Sequence, residues 1–314
     1  NLIYNGLVDL DDSLHIVPAI AKSWEISDDG LIYTFHLRTD IHFQNTDDIT
    51  FPKSRRVTAQ DFVYSFNRIV DPNVASPGSW IFQKVKRDKE DKAQFIALND
   101  STLQIVLSEI QPPFLGVLAM KYCSVVPREA VEKFGKDFAR HPVGTGPFQM
   151  KMWEEGVKLV LRRNPFYFEY DEKGQQLPYL DGVSITFIVD KQSVFMEFMK
   201  GSLDFMSGIE ACYKDALLTK QGELQKKYKG DIQLLTSPYM NTEYIGFLLK
   251  GDDPNNPLLN KQVRQALNYG FDRRKMMQYL RNNIGYAGTS GFVPMGMQSF
   301  DPERVKGYVY NPTK

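Results

Sequence analysis

A mixed α/β protein of about two domains is what this sequence predicts, and three observations carry the prediction. The length of 314 residues gives a prior of about two domains, each able to bury its own core. Residues 19–69 read as a hairpin feeding a helix. Residues 183–205 then alternate strand, helix and strand, the mark of an α/β domain with at least one crossover connection. Hydrophobic residues make up 42% of the chain and charged ones 24%, the proportions of an ordinary soluble globular protein. Lys plus Arg and Asp plus Glu balance at 38 each, so no global field draws the chain to nucleic acid or to an anionic membrane. No run approaches the roughly 18–20 apolar residues of a membrane span.

Residues 2–10 enter as a short apolar strand or helix. Trp24 and Ile26 lead into Asp28-Asp29-Gly30, a turn signal because Gly accepts a positive φ. Beyond it Leu31, Tyr33, Phe35 and Leu37 alternate with Thr34, His36 and Arg38, giving one buried face with Ile32 as the single break. Thr58 stands at a helix N-cap, with Asp61 as its capping-box partner. Phe62, Val63, Phe66, Ile69 and Val70 form the apolar stripe of that helix, and Asp71-Pro72 ends it. Residues 75–87 are irregular and hold Trp80 and Phe82, while residues 86–92 are a charge run expected to be a solvated loop. Two strands flank Asn99-Asp100-Ser101. Pro112-Pro113 opens one short helix, and Pro127 opens another that Gly135 closes.

Pro142-Val143-Gly144-Thr145-Gly146-Pro147-Phe148 describes a fixed loop with close backbone approach. A strand pattern follows it where a phosphate loop needs a helix, so the nucleotide reading fails. Residues 148–152 and 157–161 pair across Glu154-Glu155-Gly156. Further on, helices are expected over 191–200 and 209–224, and strands over 183–189, 203–205 and 232–235. Asn260 and Asp272 each cap a helix, and Tyr310-Asn311-Pro312 reads as the first turn of another.

Two ordered strings are more specific than these patterns. S-W-E-I-S-D-D-G-L-I-Y-T-F-H-L-R with V-T-A-Q-D-F-V-Y-S-F-N-R-I, and then P-V-G-T-G-P-F with L-V-L-R-R-N-P-F-Y and P-Y-L-D-G-V, resemble the family 5 solute-binding proteins, the peptide- and nickel-binding receptors of ABC importers. D-P-N-V-A-S-P resembles the oligopeptide-binding branch, residues 239–249 with Tyr244-Ile245-Gly246-Phe247 resemble the strand that crosses between the lobes, and V-R-Q-A-L-N-Y-G-F-D-R-R is similar to a further family motif. The chain departs from the family at residues 44–56, where a longer polar loop replaces a short Asp-Gly turn. The resemblance implies a two-lobed, type II (cluster C) periplasmic-binding-protein-like fold with an extra small α/β region. It implies residues 1–6 and 141–245 in lobe I, 7–140 in the small inserted domain, and 246–314 in an incomplete lobe II. Family members continue well beyond the position of Lys314, and the acidic residue that pairs with a peptide amino group lies in that later part.

Catalytic and metal constellations are weak. His15, His36, His42 and His141 lack a third ligand nearby, and Asp28-Asp29 and Glu154-Glu155 sit in turns. Cys123 and Cys212 allow either one bridge or two free thiols. Arg55, Arg56 and Lys53 read first as a solvated loop and second as a docking surface. Met196, Met199, Met276 and Met277 read as core. Trp80 and Tyr239, in stretches without periodicity, are the aromatic candidates for a ligand cleft. The ligand-binding set is Trp80, Gly144, Thr145, Gly146, Tyr239, Asn241, Thr242 and Tyr244. The resemblance implies a non-enzymatic receptor without cofactor, handing peptides to an ABC membrane permease. It implies a periplasmic or extracytoplasmic location, with membrane association only through a lipid anchor outside this sequence. The other class is a ligand-sensing domain of a regulatory or signalling protein.

Overall fold

The first strands of the chain pair locally. In this computed structural model, residues 2–236, 240–251, 253–297 and 299–314 are described, and the chain divides into two compact units, Asn1–Phe187 and Ile188–Lys314. The first unit opens with an antiparallel pair, β1 (Val8–Leu10) and β2 (Ile16–Pro18). β3 (Ala21–Ile26) and β4 (Ile32–Leu37) form the expected hairpin. Gly30 has φ +69°, and Asp29 Oδ1 accepts the Leu31 N–H at 3.1 Å, so Asp29 serves the turn. Tyr33, Phe35 and Leu37 are buried and their neighbours only half-buried, as the alternation requires.

α1 (Ala59–Val70) follows with its capping box in place: Asp61 Oδ2 accepts the Thr58 N–H at 2.8 Å. β5 (Phe95–Asn99) and β6 (Thr102–Val106) complete an antiparallel sheet ordered β3-β4-β6-β5. α1 packs on β5 and β6 through Phe66, whose ring meets Phe95 at 5.4 Å and Phe82 at 4.8 Å. α2 (Phe114–Leu118) and α3 (Arg128–Phe134) close the layer. Phe114 meets Tyr33 edge-on at 4.9 Å, and Gly135 stops α3 with φ +51°. A second antiparallel sheet consists of β7 (Phe148–Glu154), β8 (Lys158–Arg163) and β9 (Gly182–Thr186). Its register sets Met150, Leu161 and Val183 in one row and Gln149, Arg162 and Gly182 in the next, so one face is apolar and the other largely polar.

In the second unit, α4 (Lys191–Met199) forms as expected, and α5 (Lys214–Leu217) is all that forms of the helix expected over 209–224. α6 (Lys261–Gly270) and α7 (Arg273–Leu280) carry the caps read from sequence: Asn260 Oδ1 accepts the Gln262 N–H and Asp272 Oδ1 the Lys275 N–H. The strands expected over 203–205, 232–235 and 240–249 are not formed; Tyr239 lies outside the described residues. A strand exists only as part of a ladder, and Phe205, Tyr244, Ile245 and Leu248 are exposed, without the packed face that would hold one. The crossover expected after β9 is therefore not closed here, although the mixed α/β class stands.

Among the described residues, the buried apolar cluster of this unit is Phe195, Tyr213, Leu217 and Leu218. Met196 and Met199 are exposed, contrary to their expected place in a core, because α4 buries only Phe195. The turn expected to open a helix at 310 remains a turn. Among the described residues, no helix is long and apolar enough to cross a membrane.

Candidate ligand-binding site

The Gly144-Thr145-Gly146 turn is built around the incoming chain. Gly146 N–H donates to Ile3 O at 2.8 Å, and Phe148 N–H to Leu2 O at 2.9 Å. Thr145, buried, donates its hydroxyl to Asn5 Oδ1 at 2.9 Å. A Cβ at Gly146 would stand 2.6 Å from Ile3 C, and one at Gly144 would collide with Ile3 O. These glycines are thus required by close backbone approach. From the other side Gln44 Nε2 donates to Gly146 O and Phe148 O at 2.8 and 2.7 Å, and Asn164 Nδ2 to Gly146 O at 2.9 Å. Sequence reasoning marked the turn but missed Asn5, Gln44 and Asn164. Nothing but the Asn-Pro pair at 164–165 signalled them.

Trp80 lies on a single turn of 3-10 helix, Ser79–Phe82, and is 45% exposed while Ile81 and Phe82 are buried. The indole is therefore the exposed large side chain of this turn. In the second unit Thr242 donates its hydroxyl to Phe292 O at 2.9 Å, and Tyr244 meets the Phe292 ring edge-on at 5.0 Å. Asn241 is exposed beside them, and Glu243 pairs with Arg281 at 2.7 Å. The structure thus brings Asn241, Thr242 and Tyr244 onto one segment, and Trp80 and the Gly144–Gly146 turn into the other unit.

The remaining candidates have structural occupations. His15 faces Asp11, His36 faces Glu25, His141 faces Asp48, and His42 Nδ1 contacts Arg55 O. Among the described residues, no three His, Cys, Asp or Glu side chains could hold a metal ion. Both cysteines are free: Cys123 is buried, which pushes its thiol up to about 12, and Cys212 is exposed. Arg55 departs from the expected solvated loop. It is 21% exposed and pairs with Asp61 at 2.5 Å and Glu129 at 2.7 Å, because the inserted loop folds down onto the ends of α1 and α3. Beside Arg55 the Glu129 carboxyl is held below its ordinary range by that hydrogen bond. Half-buried Tyr4 and buried Tyr167 have their phenols pushed up by desolvation, and neither is poised for proton transfer.

Residues 15–314 match the family described as bacterial extracellular solute-binding proteins, family 5 middle. The chain belongs to that family. Relatives of this family 5 chain include heme-binding protein A of Haemophilus influenzae, 31% identical over 99% of this chain and 55% of that protein. The dipeptide-binding protein of Escherichia coli is 26% identical over 99% of this chain and 56% of its own length. Among solved structures, the Escherichia coli murein tripeptide binding protein MppA superposes with a TM-score of 0.71 at 27% identity, covering 96% of this chain and 56% of that one. A dipeptide binding protein from Pseudoalteromonas in complex with Met-Leu gives 0.78 at 21% identity, over 99% and 59%. The fold is accordingly that of the type II periplasmic binding proteins. This family 5 chain spans about half the length of the curated relatives it matches.

Proposed function

We propose that the protein is an extracytoplasmic substrate-binding protein that captures peptides and delivers them to the membrane permease of an ABC importer. Family membership across residues 15–314 is the observation that carries this reading. Relatives named for dipeptide binding and murein tripeptide binding support peptide as the ligand class. In this reading binding is burial and closure without covalent chemistry. Backbone groups common to every peptide are held by hydrogen bonds, and side chains occupy hydrated pockets. Trp80, Asn241, Thr242 and Tyr244 contribute side chains, as does Tyr239, outside the described residues. The Gly144-Thr145-Gly146 turn supplies the rigid frame. The division into residues 1–6 with 141–245, 7–140 and 246–314 belongs to the same proposal, as does a periplasmic or lipid-anchored extracytoplasmic location.

Native mass spectrometry of protein purified from cells tests the ligand class. Co-purifying peptides give a ladder of added masses, whereas a single added mass equal to haem or to a metal complex overturns the peptide reading. Calorimetry with a mixed tri- to pentapeptide pool gives the matching positive test.

A further inference from the structure

Where α1 ends beside α3, the two helices leave an open groove of about 560 Å³. Arg68 and Val74 line it from the last turn of α1 and the turn that follows. Val131 and Glu132 line it from α3, and Lys136 and Phe138 from the 3-10 segment Gly135–Arg140. The whole groove lies within the first unit, and the peptide reading above uses none of its residues.

The floor is apolar and the rim is cationic. Val131 is buried, and half-buried Phe138 packs on the core of the unit. Gly135 lies between them in sequence, and a Cβ there would meet nothing within 4 Å, so no side chain covers the floor at that point. Val74, exposed, supplies an apolar edge. The carboxylate of the groove is already engaged: Glu132 pairs with Arg128 at 2.6 Å. Tyr64 holds two of the cations, the Arg128 guanidinium lying 5.8 Å from its ring centroid and Arg68 hydrogen-bonding its side chain. Among the described residues, Arg68 and Lys136 have no carboxylate partner. The groove therefore presents a positive rim, fixed in part by Tyr64, around a recessed apolar floor.

A compact anion would meet the rim and leave the floor in water. The flat surface of an anionic bilayer would do the same, since the floor lies below the cations. Arg68 and Lys136 come from different elements, so an occupant that answers both carries its negative charges apart, with an apolar group between them. We propose that this groove docks a partner protein through an acidic segment bearing one apolar anchor residue. The anchor rests on Val131 and Phe138, and carboxylates on either side of it accept from the Arg68 guanidinium and the Lys136 ammonium. An apolar centre inside a charged rim is the ordinary anatomy of such a contact, and a groove of this size gives a weak, transient one.

Amide NMR titration of the 314-residue protein with the capped peptide acetyl-Glu-Glu-Leu-Glu-Glu-amide tests this; the caps remove the terminal charges by which a transported peptide is held. Shifts are expected at the amides of residues 131–139, saturating below millimolar peptide. The same peptide with glycine in place of leucine, and one with lysine in place of every glutamate, should each bind at least about tenfold more weakly. Lys136→Glu and Val74→Asp alter exposed side chains and should leave the thermal midpoint in place while weakening the first peptide by about the same factor. No shift at millimolar peptide, equal binding of the three peptides, or indifference to both substitutions overturns the proposal. So does perturbation of the same amides by phosphatidylglycerol vesicles with none by the peptide, which assigns the groove to a membrane.

Discussion

Arg55→Ala removes the side chain that fastens one end of the inserted loop. Arg55 Nη2 and Nη1 donate to the two oxygens of Asp61 at 2.5 and 2.9 Å, and Nε donates to Glu129 at 2.7 Å. The Asp61 side chain is only 6% exposed and that of Arg55 21%, so the pair lies mostly out of water. Removing one partner of a buried ion pair costs about 3–5 kcal/mol, because the other charge is left unpaired. Here Asp61 keeps two donors, the Thr58 N–H at 2.8 Å and the Thr58 hydroxyl at 3.0 Å, which reduces the expected cost to about 2–3 kcal/mol. The first unit holds 187 residues, a size at which each kcal/mol moves Tm by about 2–4 °C, so its transition should fall by about 4–12 °C. Circular dichroism melts of wild type, Arg55→Ala, Asp61→Asn and the double variant measure this. A shift below about 1 °C, or strictly additive single effects, would refute the reasoning, since contacting charges should couple by more than about 0.5 kcal/mol. Glu129→Gln should cost less than about 1 kcal/mol, because Glu129 is 48% exposed and screened by solvent.

Gly30→Val should destabilise the first unit by about 1–3 kcal/mol. The added Cβ finds room, its nearest neighbour being Ile110 at 3.6 Å, so the cost is that of φ +69° alone; an unchanged midpoint would exclude the turn geometry. Acid should destabilise the protein through Glu129 and Asp47, whose carboxyls are lowered first of all by hydrogen bonds from Arg55 and Lys151, from ordinary values of 4.5 and 3.8. A depressed folded-state pKa gives stability that is full above the ordinary value and lost as pH falls through the folded one. Tm should therefore decline below about pH 4.5, and a Tm constant down to about pH 3 contradicts this. A thiol reagent at about pH 8 should modify Cys212 at once and Cys123 only after unfolding. Prompt loss of both thiols would show that Cys123 is not sealed.

The first unit was legible because its signals are local. Gly30, the Thr58–Asp61 box, Gly135 and the alternation of Tyr33, Phe35 and Leu37 each encode their geometry within a few residues. The second unit reads well where caps are local, at Asn260 and Asp272, and fails where a strand needs a distant partner, as at 203–205 and 232–235. Alternation names the face a strand would bury but not the strand beside it. The same limit hid the inserted loop. Arg55 looks solvated in a run with Lys53 and Arg56, and only the fold brings Asp61 and Glu129 to it. At the candidate site the glycines and the close backbone approach they allow were legible and the partner was not, since Ile3 lies more than a hundred residues earlier in the chain.

The unequal cores have a consequence for how the chain comes apart. The first unit buries an uninterrupted cluster running from Leu7 to Phe168, while that of the second consists of Phe195, Tyr213, Leu217 and Leu218. Helices the length of α6 and α7, with no buried side chain, draw little cooperativity from packing and are marginal by length alone. Unfolding is then not one event, and no single free energy describes it. A protease given the native protein should trim inward from the second unit and stall near the end of β9, where each further cut must first open a packed sheet.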